Sequence, residues 1–210
     1  MFSKTKGLYV ITDNKLTPKE TIVNQVEEAL KGGAKIVQLR DKKSKDKDIE
    51  EQLVSLQNLC RRYNALFILN DRVELAIKYQ CDGLHIGKSD HHRVPKIREK
   101  FLGYLGISCY GDIKLAKRME KLGADYVAFG SFFPSKTKPN AKVVDKSIIK
   151  KAKKSLNIPI CAIGGITTEN GKELIKNGVD MLAVITDIWT SKNISKKCEK
   201  YKKLFSKCED

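Results

Sequence analysis

Several features are missing from this sequence, and each absence excludes a class. No apolar run approaches the roughly 20 residues that cross a bilayer, so no membrane span is expected. The opening Met1-Phe2-Ser3-Lys4-Thr5-Lys6-Gly7 leads into only a short apolar stretch before Asp13, and does not read as a signal peptide. None of the six cysteines (Cys60, Cys81, Cys109, Cys161, Cys198, Cys208) forms a CxxC pair, and no Cys/His group has zinc spacing. Six in 210 residues is also too sparse for a disulfide scaffold. Free, mostly structural thiols in a reducing cytoplasm are the expectation. His91-His92 could ligate a metal, but reads rather as opening a helix near the surface. No linker or low-complexity segment divides the chain, so a single domain over 1–210 is expected.

Acidic residues are in deficit, with 25 Asp+Glu against 41 Lys+Arg, a net charge of +16. Lysine is spread along most of the chain, and the densest stretches, Lys142–Lys154 and Lys192–Lys207, read as exposed helix faces. A nucleic-acid surface clusters its charge on one face, whereas here lysine is spread along the chain, so no nucleic-acid partner is expected. A diffuse positive field would still attract small anions. The 41% apolar content is ordinary for a globular chain.

What is present is an alternation. Short apolar or β-branched runs (Gly7–Thr12, Lys35–Arg40, Leu66–Asn70, Gly83–Gly87, Leu105–Ser108, Tyr126–Phe132, Pro159–Gly164, Met181–Thr186) read as strands. Amphipathic stretches follow them at Pro18–Lys31, Lys45–Tyr63, Arg72–Tyr79, Val94–Lys100, Gly111–Leu122, Asp145–Ser155, Thr168–Asn177 and Lys192–Phe205. Gly32-Gly33, Gly123 and Gly178 fall where helices should stop. Eight such units predict a closed α/β (β/α)8 TIM barrel. A doubly wound open sheet would carry a GxGxxG turn after its first strand, and that turn is missing.

A barrel of this kind works at the C-terminal ends of its strands. Strand two ends in Gln38-Leu39-Arg40-Asp41-Lys42, where alternation sets Gln38, Arg40 and Lys42 on one side. Arginine and lysine suit phosphate oxygens, and glutamine suits a heterocycle. Strand three ends in Asn70-Asp71, and strand four leads to Asp90. Two carboxylates at neighbouring strand ends could share Mg²⁺, with water and substrate phosphate completing its shell. They could equally cap the helices that follow. Ser108 ends strand five, and Ser135-Lys136-Thr137-Lys138 follows strand six with anion-binding chemistry. Gly164-Gly165 after strand seven and Ile185-Thr186 after strand eight occupy a recurrent phosphate position of barrels. The set implies two anionic ligands at one mouth, one of them a diphosphate. No Ser-His-Asp arrangement, Schiff-base lysine or paired acid/base stands out, so displacement of diphosphate is the simplest chemistry.

These segments carry a resemblance. Leu8-Tyr9-Val10-Ile11-Thr12-Asp13, Gln38–Lys42, Leu69-Asn70-Asp71, Asp82–Gly87 with Asp90, Gly106-Ile107-Ser108, Gly123–Val127, Pro134–Lys138 and Ala162–Ile166 resemble, in order, the thiamine-phosphate synthase family. The resemblance implies that Gln38, Leu39, Arg40, Asp41, Lys42, Asn70, Ser108 and Lys138 hold an aminopyrimidine diphosphate. It implies Mg²⁺ at Asp71 and Asp90, and a thiazole phosphate at Ser135, Lys136, Thr137, Gly165, Ile185 and Thr186. It further implies that diphosphate leaves first and that the thiazole nitrogen attacks the resulting pyrimidinylmethyl cation, with Arg40, Lys42, Ser108 and Lys138 as the catalytic set. Partners are then small phosphorylated substrates, with homo-oligomerisation left open. Lys88 departs from a usual Gln, Ser135 from a frequent Thr, and Asp187 from a usual small residue. The alternatives are a thiazole tautomerase paralogue of the same fold, which need not keep the metal and diphosphate set, and a non-catalytic phosphate-ligand sensor.

Overall fold

The computed structural model of the chain describes residues 5–134 and 142–206. Their order is β1 (Gly7–Ile11), α1 (Ile22–Lys31), β2 (Ile36–Leu39), α2 (Asp46–Arg62), β3 (Leu66–Asn70) and α3 (Val73–Lys78). Next come β4 (Gly83–Ile86), a 3₁₀ turn over Lys88–Arg93, α4 (Val94–Lys100), β5 (Tyr104–Tyr110), α5 (Ile113–Lys121) and β6 (Tyr126–Phe129). The chain continues through α6 (Ser147–Lys153), β7 (Ile160–Ile163), α7 (Gly171–Lys176), β8 (Met181–Val184), α8 (Thr186–Trp189) and α9 (Ile194–Ser206). The strands pair in parallel in sequence order and β8 returns to β1, so the sheet is a closed (β/α)8 barrel.

Closure divides the apolar residues into two layers. Residues such as Leu8, Val10, Val37, Leu39, Leu84 and Val127 face outward and pack under the helices. Their strand neighbours Tyr9, Ile11, Ile36, Ile68, Tyr126 and Met181 face inward and fill the barrel. The period-two alternation of a strand makes this division. One interior ring needs space that only glycine leaves. A Cβ on Gly106 of β5 would run into the Tyr126 ring from β6.

The helical stops at Gly33, Gly123 and Gly178 all have left-handed φ, of 96°, 99° and 105°. Gly32 has ordinary helical φ and serves a different end, since a Cβ there would press on Cys198 of α9 at 2.6 Å. Helix α9 packs against α1, α7, α8 and β1, and so closes the ring of helices where the last unit meets the first. This is the task of the basic C-terminal helix. Cys60, Cys81, Cys109, Cys161 and Cys198 are buried and free. Burial pushes the thiols of Cys60, Cys81, Cys109 and Cys198 up to about 12, which leaves them inert. Cys208 lies outside the described residues.

Most expected boundaries shift by one to four residues, and three of the shifts bear on the mouth or the seam. Helix α1 starts at Ile22 instead of Pro18, because Pro18–Thr21 forms a turn and no side chain caps the helix start. Strand β6 stops at Phe129 instead of Phe132, because the chain then crosses to β7, with Phe132 N–H on Ile163 O and Phe133 N–H on Gly164 O. Strand β8 stops at Val184 instead of Thr186, and Thr186 begins the short additional helix α8. The Trp189 indole N–H on α8 donates to Ile11 O of β1 at 2.6 Å, which ties this turn across the seam of the barrel.

Gly106→Ala is expected to cost about 1–3 kcal/mol through overpacking against Tyr126. Urea unfolding should show a lower midpoint with an unchanged slope. A midpoint equal to that of the unaltered protein would mean that the interior has slack at this ring.

Candidate active site

The C-terminal ends of β2, β3 and β4 bring one group of the expected residues together. Gln38 points into the barrel, is 2% exposed, and donates from Nε2 to the Tyr9 hydroxyl at 2.6 Å. Arg40, just past β2, is held by its N–H on Thr12 Oγ1 at 3.0 Å. Lys42 Nζ lies 3.2 Å from Asp71 Oδ2. The same carboxylate oxygen accepts from Asn70 Nδ2 at 2.7 Å. Asp71 has a left-handed φ of 63°, a conformation that Asp tolerates better than most residues. Its N–H donates to His85 O on β4 at 2.8 Å, so the turn is anchored to the next strand.

Asp90 sits in the 3₁₀ turn after β4. Its Oδ1 accepts from Arg93 at 2.8 Å and its Oδ2 from Ser89 Oγ at 2.9 Å. Burial alone would raise this carboxyl, but the bonds from Arg93 and Ser89 outweigh it and hold it below the usual range. Neither Asp71 nor Asp90 caps a helix through its side chain. The capping alternative therefore has no hydrogen bond behind it. Among the described residues no group of three or more His, Cys, Asp or Glu is placed to hold a metal. A donor set of two carboxylates from adjacent strand ends matches an ion that takes its remaining ligands from water and substrate.

Two members of the expected set are occupied otherwise. Leu39 turns its side chain into the layer under the helices, 1% exposed, and does not reach the mouth. The Asp41 carboxylate folds back on its own loop, accepting from Lys43 N–H at 2.8 Å, Ser44 N–H at 2.9 Å and Ser44 Oγ at 2.7 Å. Burial pushes Asp41 up, yet these bonds, with one from Asn14, prevail and hold it down at about 2. Arg72 adds a second brace, donating to Asp41 O at 2.7 Å and Ser44 O at 2.6 Å while pairing with Asp46.

On the opposite side, Ser108 Oγ lies 2.9 Å from His85 Nε2, and the Ser108 carbonyl accepts from His91 Nε2 at 3.0 Å. The β5–β6 register shifts directly after Ser108. Bulges of this kind commonly re-aim side chains beside a site. Gly164 and Gly165 carry left-handed φ of 105° and 62°. A Cβ on Gly164 would collide with Ser131, and one on Gly165 would come within 2.8 Å of Phe133 Cβ, so the pair is also required by packing against the chain after β6. Gly165 O accepts from Asn170 Nδ2 at 2.9 Å. Ile185 follows β8, and Thr186 starts α8 beside it. Ser135, Lys136, Thr137 and Lys138 lie outside the described residues. His91 and His92 fall within the 3₁₀ turn, ahead of α4.

A profile of the family described as thiamine monophosphate synthase matches residues 8–188. The chain belongs to this family. A thiamine-phosphate synthase of Wolinella succinogenes is 45% identical over 192 residues, covering 89% of this chain and 87% of that protein. One from Nitrosococcus oceani is 40% identical over 208 residues, covering 98% and 95%. The solved thiamine phosphate pyrophosphorylase of Pyrococcus furiosus superposes with a TM-score of 0.89 at 35% identity, over 99% of this chain and 98% of that one. Thiamine monophosphate synthases are transferases, and the fold described above is the one that this neighbour shares.

Within the family frame, the departures acquire positions. Asp187 accepts from Tyr201 OH at 2.7 Å and pairs with Lys197 at 3.1 Å, both on α9. Its charge is thereby spent on the α8–α9 contact. Lys88 donates its N–H to Tyr110 OH at 3.3 Å, and the residue lines a surface recess with His91, His92 and Arg118. Sequence reasoning missed Arg72, Arg93 and Thr12 as supports, and Tyr9, His85 and Tyr126 as interior polar groups. Strand alternation, which sets these last three inward, was the available signal.

Because the folded carboxyl of Asp41 is depressed, its stabilisation is present above the unfolded value near 4 and is lost as pH falls through about 2. Asp41→Asn is expected to lower stability at neutral pH by about 1–2 kcal/mol and to remove that part of the acid sensitivity. Urea unfolding of both proteins at neutral pH and at about pH 2.5 checks this. Equal pH dependence in the two would refute the assignment.

Proposed function

We propose that this barrel mouth joins an aminopyrimidinylmethyl diphosphate to a thiazole phosphate, or its carboxylated precursor, giving thiamine phosphate and diphosphate, with CO2 also released from the carboxylated form. One observation carries the reading: Lys42, Asn70 and Asp71 meet within hydrogen-bond or ion-pair distance at the ends of β2 and β3, with Asp90 beyond the end of β4. Cations beside carboxylates in this way support a site for a diphosphate together with Mg²⁺.

Arg40, Lys42 and Lys138 hold the diphosphate, and Gln38 and Asn70 meet the aminopyrimidine. Ser108 donates to a diphosphate oxygen. Ser135, Lys136, Thr137, Gly165, Ile185 and Thr186 hold the thiazole phosphate, so that its ring nitrogen faces the pyrimidinylmethyl carbon. The bond from that carbon to the diphosphate oxygen breaks, its electron pair leaves with diphosphate, and the thiazole nitrogen forms the new carbon–nitrogen bond. Fixed donors aimed at the departing oxygens act most strongly where charge builds up. Holding both substrates in one mouth supplies proximity. Asp71 and Asp90 would hold Mg²⁺, which, when bound, offsets negative charge on the leaving group.

Incubation with both substrates and Mg²⁺ should yield thiamine phosphate and diphosphate in equal amounts. Isomerised thiazole with no diphosphate released would instead point to a tautomerase. The double variant Asp71→Asn, Asp90→Asn is expected to lose about a hundredfold or more of turnover, in keeping with several kcal/mol of charge stabilisation. Unchanged Mg²⁺-dependent turnover in that variant would overturn the metal assignment.

A further inference from the structure

The barrel interior holds a continuous polar chain whose middle members, Tyr9, Tyr126 and His85, the reaction above does not use. Gln38 Nε2 donates to Tyr9 OH at 2.6 Å. Tyr9 OH lies 2.9 Å from Tyr126 OH. Tyr126 OH lies 3.0 Å from His85 Nδ1, and His85 Nε2 lies 2.9 Å from Ser108 Oγ. Five side chains from β2, β1, β6, β4 and β5 thus link one wall of the mouth to the other, through rings that are 9% exposed or less.

A hydroxyl has one hydrogen to give, so the chain has a direction. With Gln38 donating, Tyr9 oxygen is an acceptor and Tyr9 hydrogen goes to Tyr126, the only other hydrogen-bond partner of Tyr9 among the described residues. Tyr126 hydrogen then goes to His85 Nδ1. His85 must carry its hydrogen on Nε2 and donate to Ser108, which leaves the Ser108 hydrogen for the mouth. The opposite direction begins with Gln38 turned over, accepting from Tyr9. It ends with Ser108 donating to His85 and unable to donate to a substrate. Burial raises the Tyr9 and Tyr126 hydroxyls well above their ordinary range, so both stay protonated and can pass only direction, not charge.

We propose that Gln38–Tyr9–Tyr126–His85–Ser108 is a hydrogen-bond relay that couples the amide orientation of Gln38 to the donor state of Ser108. It rests on the reading of Gln38 and Ser108 as substrate-facing. Gln38 with Nε2 on Tyr9 keeps Oε1 as an acceptor for a substrate amino group. A substrate that presents this amino group therefore fixes the orientation in which Ser108 can donate to the leaving diphosphate. A heterocycle offering an acceptor in its place would favour the turned amide and switch Ser108 off. Tyr9, Tyr126 and His85 are positioning residues that act through the two ends.

The tautomer can be read without substrate or turnover, by nitrogen-15 NMR of histidine-labelled protein, with the His85 signal assigned by its loss in His85→Gln. The expected state is the neutral Nε2–H form. A resting Nδ1–H form or an imidazolium overturns the relay. Tyr126→Phe and Tyr9→Phe keep the ring and remove the link; each is expected to weaken the Nε2–H bias and to lower kcat about tenfold to a hundredfold, with the KM for thiazole phosphate unchanged. A kcat within about twofold of the unaltered enzyme in both would overturn the inference. Adding Tyr126→Phe to Ser108→Ala should cost nothing further if the effect passes through Ser108, whereas full additivity would refute that route. If the unaltered protein makes no thiamine phosphate, the functional reading fails; the tautomer result still reports on the relay itself.

Discussion

The structure depends on a barrel that closes on its own side chains. A parallel sheet of eight strands leaves an interior that must be filled, and here two tyrosines fill much of it. Tyr9 and Tyr126 stand 117 residues apart in sequence and meet through their hydroxyls at 2.9 Å, with rings edge to face. A buried hydroxyl without a partner costs more than a made hydrogen bond returns, so each oxygen recruits the next polar group. Gln38 and His85 enter the interior on those terms. Gly106 enters it for space alone. The polar atoms of the interior therefore lead upward to Ser108, which is partly exposed near the end of β5.

Around the rim, support is local and covers short distances. Asp41 and Arg72 shape the loop after β2, Thr12 fixes the backbone of Arg40, and Arg93 steadies Asp90 while reaching Glu74 on α3 at 2.8 Å. Each of these groups makes bonds to backbone or to an opposite charge near it. On the far side, α8 and α9 perform the equivalent duty through Trp189, Asp187 and Tyr201.

Strand alternation and helical spacing were enough to expect the barrel, because each βα unit carries its own apolar pattern. The placing of the polar and charged residues Arg40, Lys42, Asn70, Asp71 and Asp90 at or just past strand ends was also readable, since strand periodicity fixes where each run stops. What spacing does not encode is which side chains meet across the barrel. The path from Gln38 to Ser108 needs strand order, register and the gap left by Gly106 at once. Nor does spacing encode what a side chain accepts from: an Asp beside Arg40 looks the same whether it faces a ligand or, as here, accepts from Lys43 and Ser44. The Leu39 side chain turns outward because alternation puts it opposite Gln38. Helix α8 escaped notice because four residues are too few to show a helical period.

The opposed charges at the mouth have an energetic logic. Lys42 pairs with Asp71 at 57% and 31% side-chain exposure, and Arg93 pairs with Asp90 at 36% and 16%. Pairs this open to water contribute little, typically about 0–1 kcal/mol, because solvent already screens them. In the reaction proposed above, Lys42 would therefore move from Asp71 to a diphosphate oxygen at small cost, and Asp71 would turn to the cation. A deeply buried pair would resist the exchange, since separating it strands two desolvated charges. An excess of positive charge without any carboxylate would hold diphosphate product too firmly to release it. Interleaved, half-exposed pairs avoid both extremes, and they leave the barrel interior, where separation is costly, to groups that stay neutral.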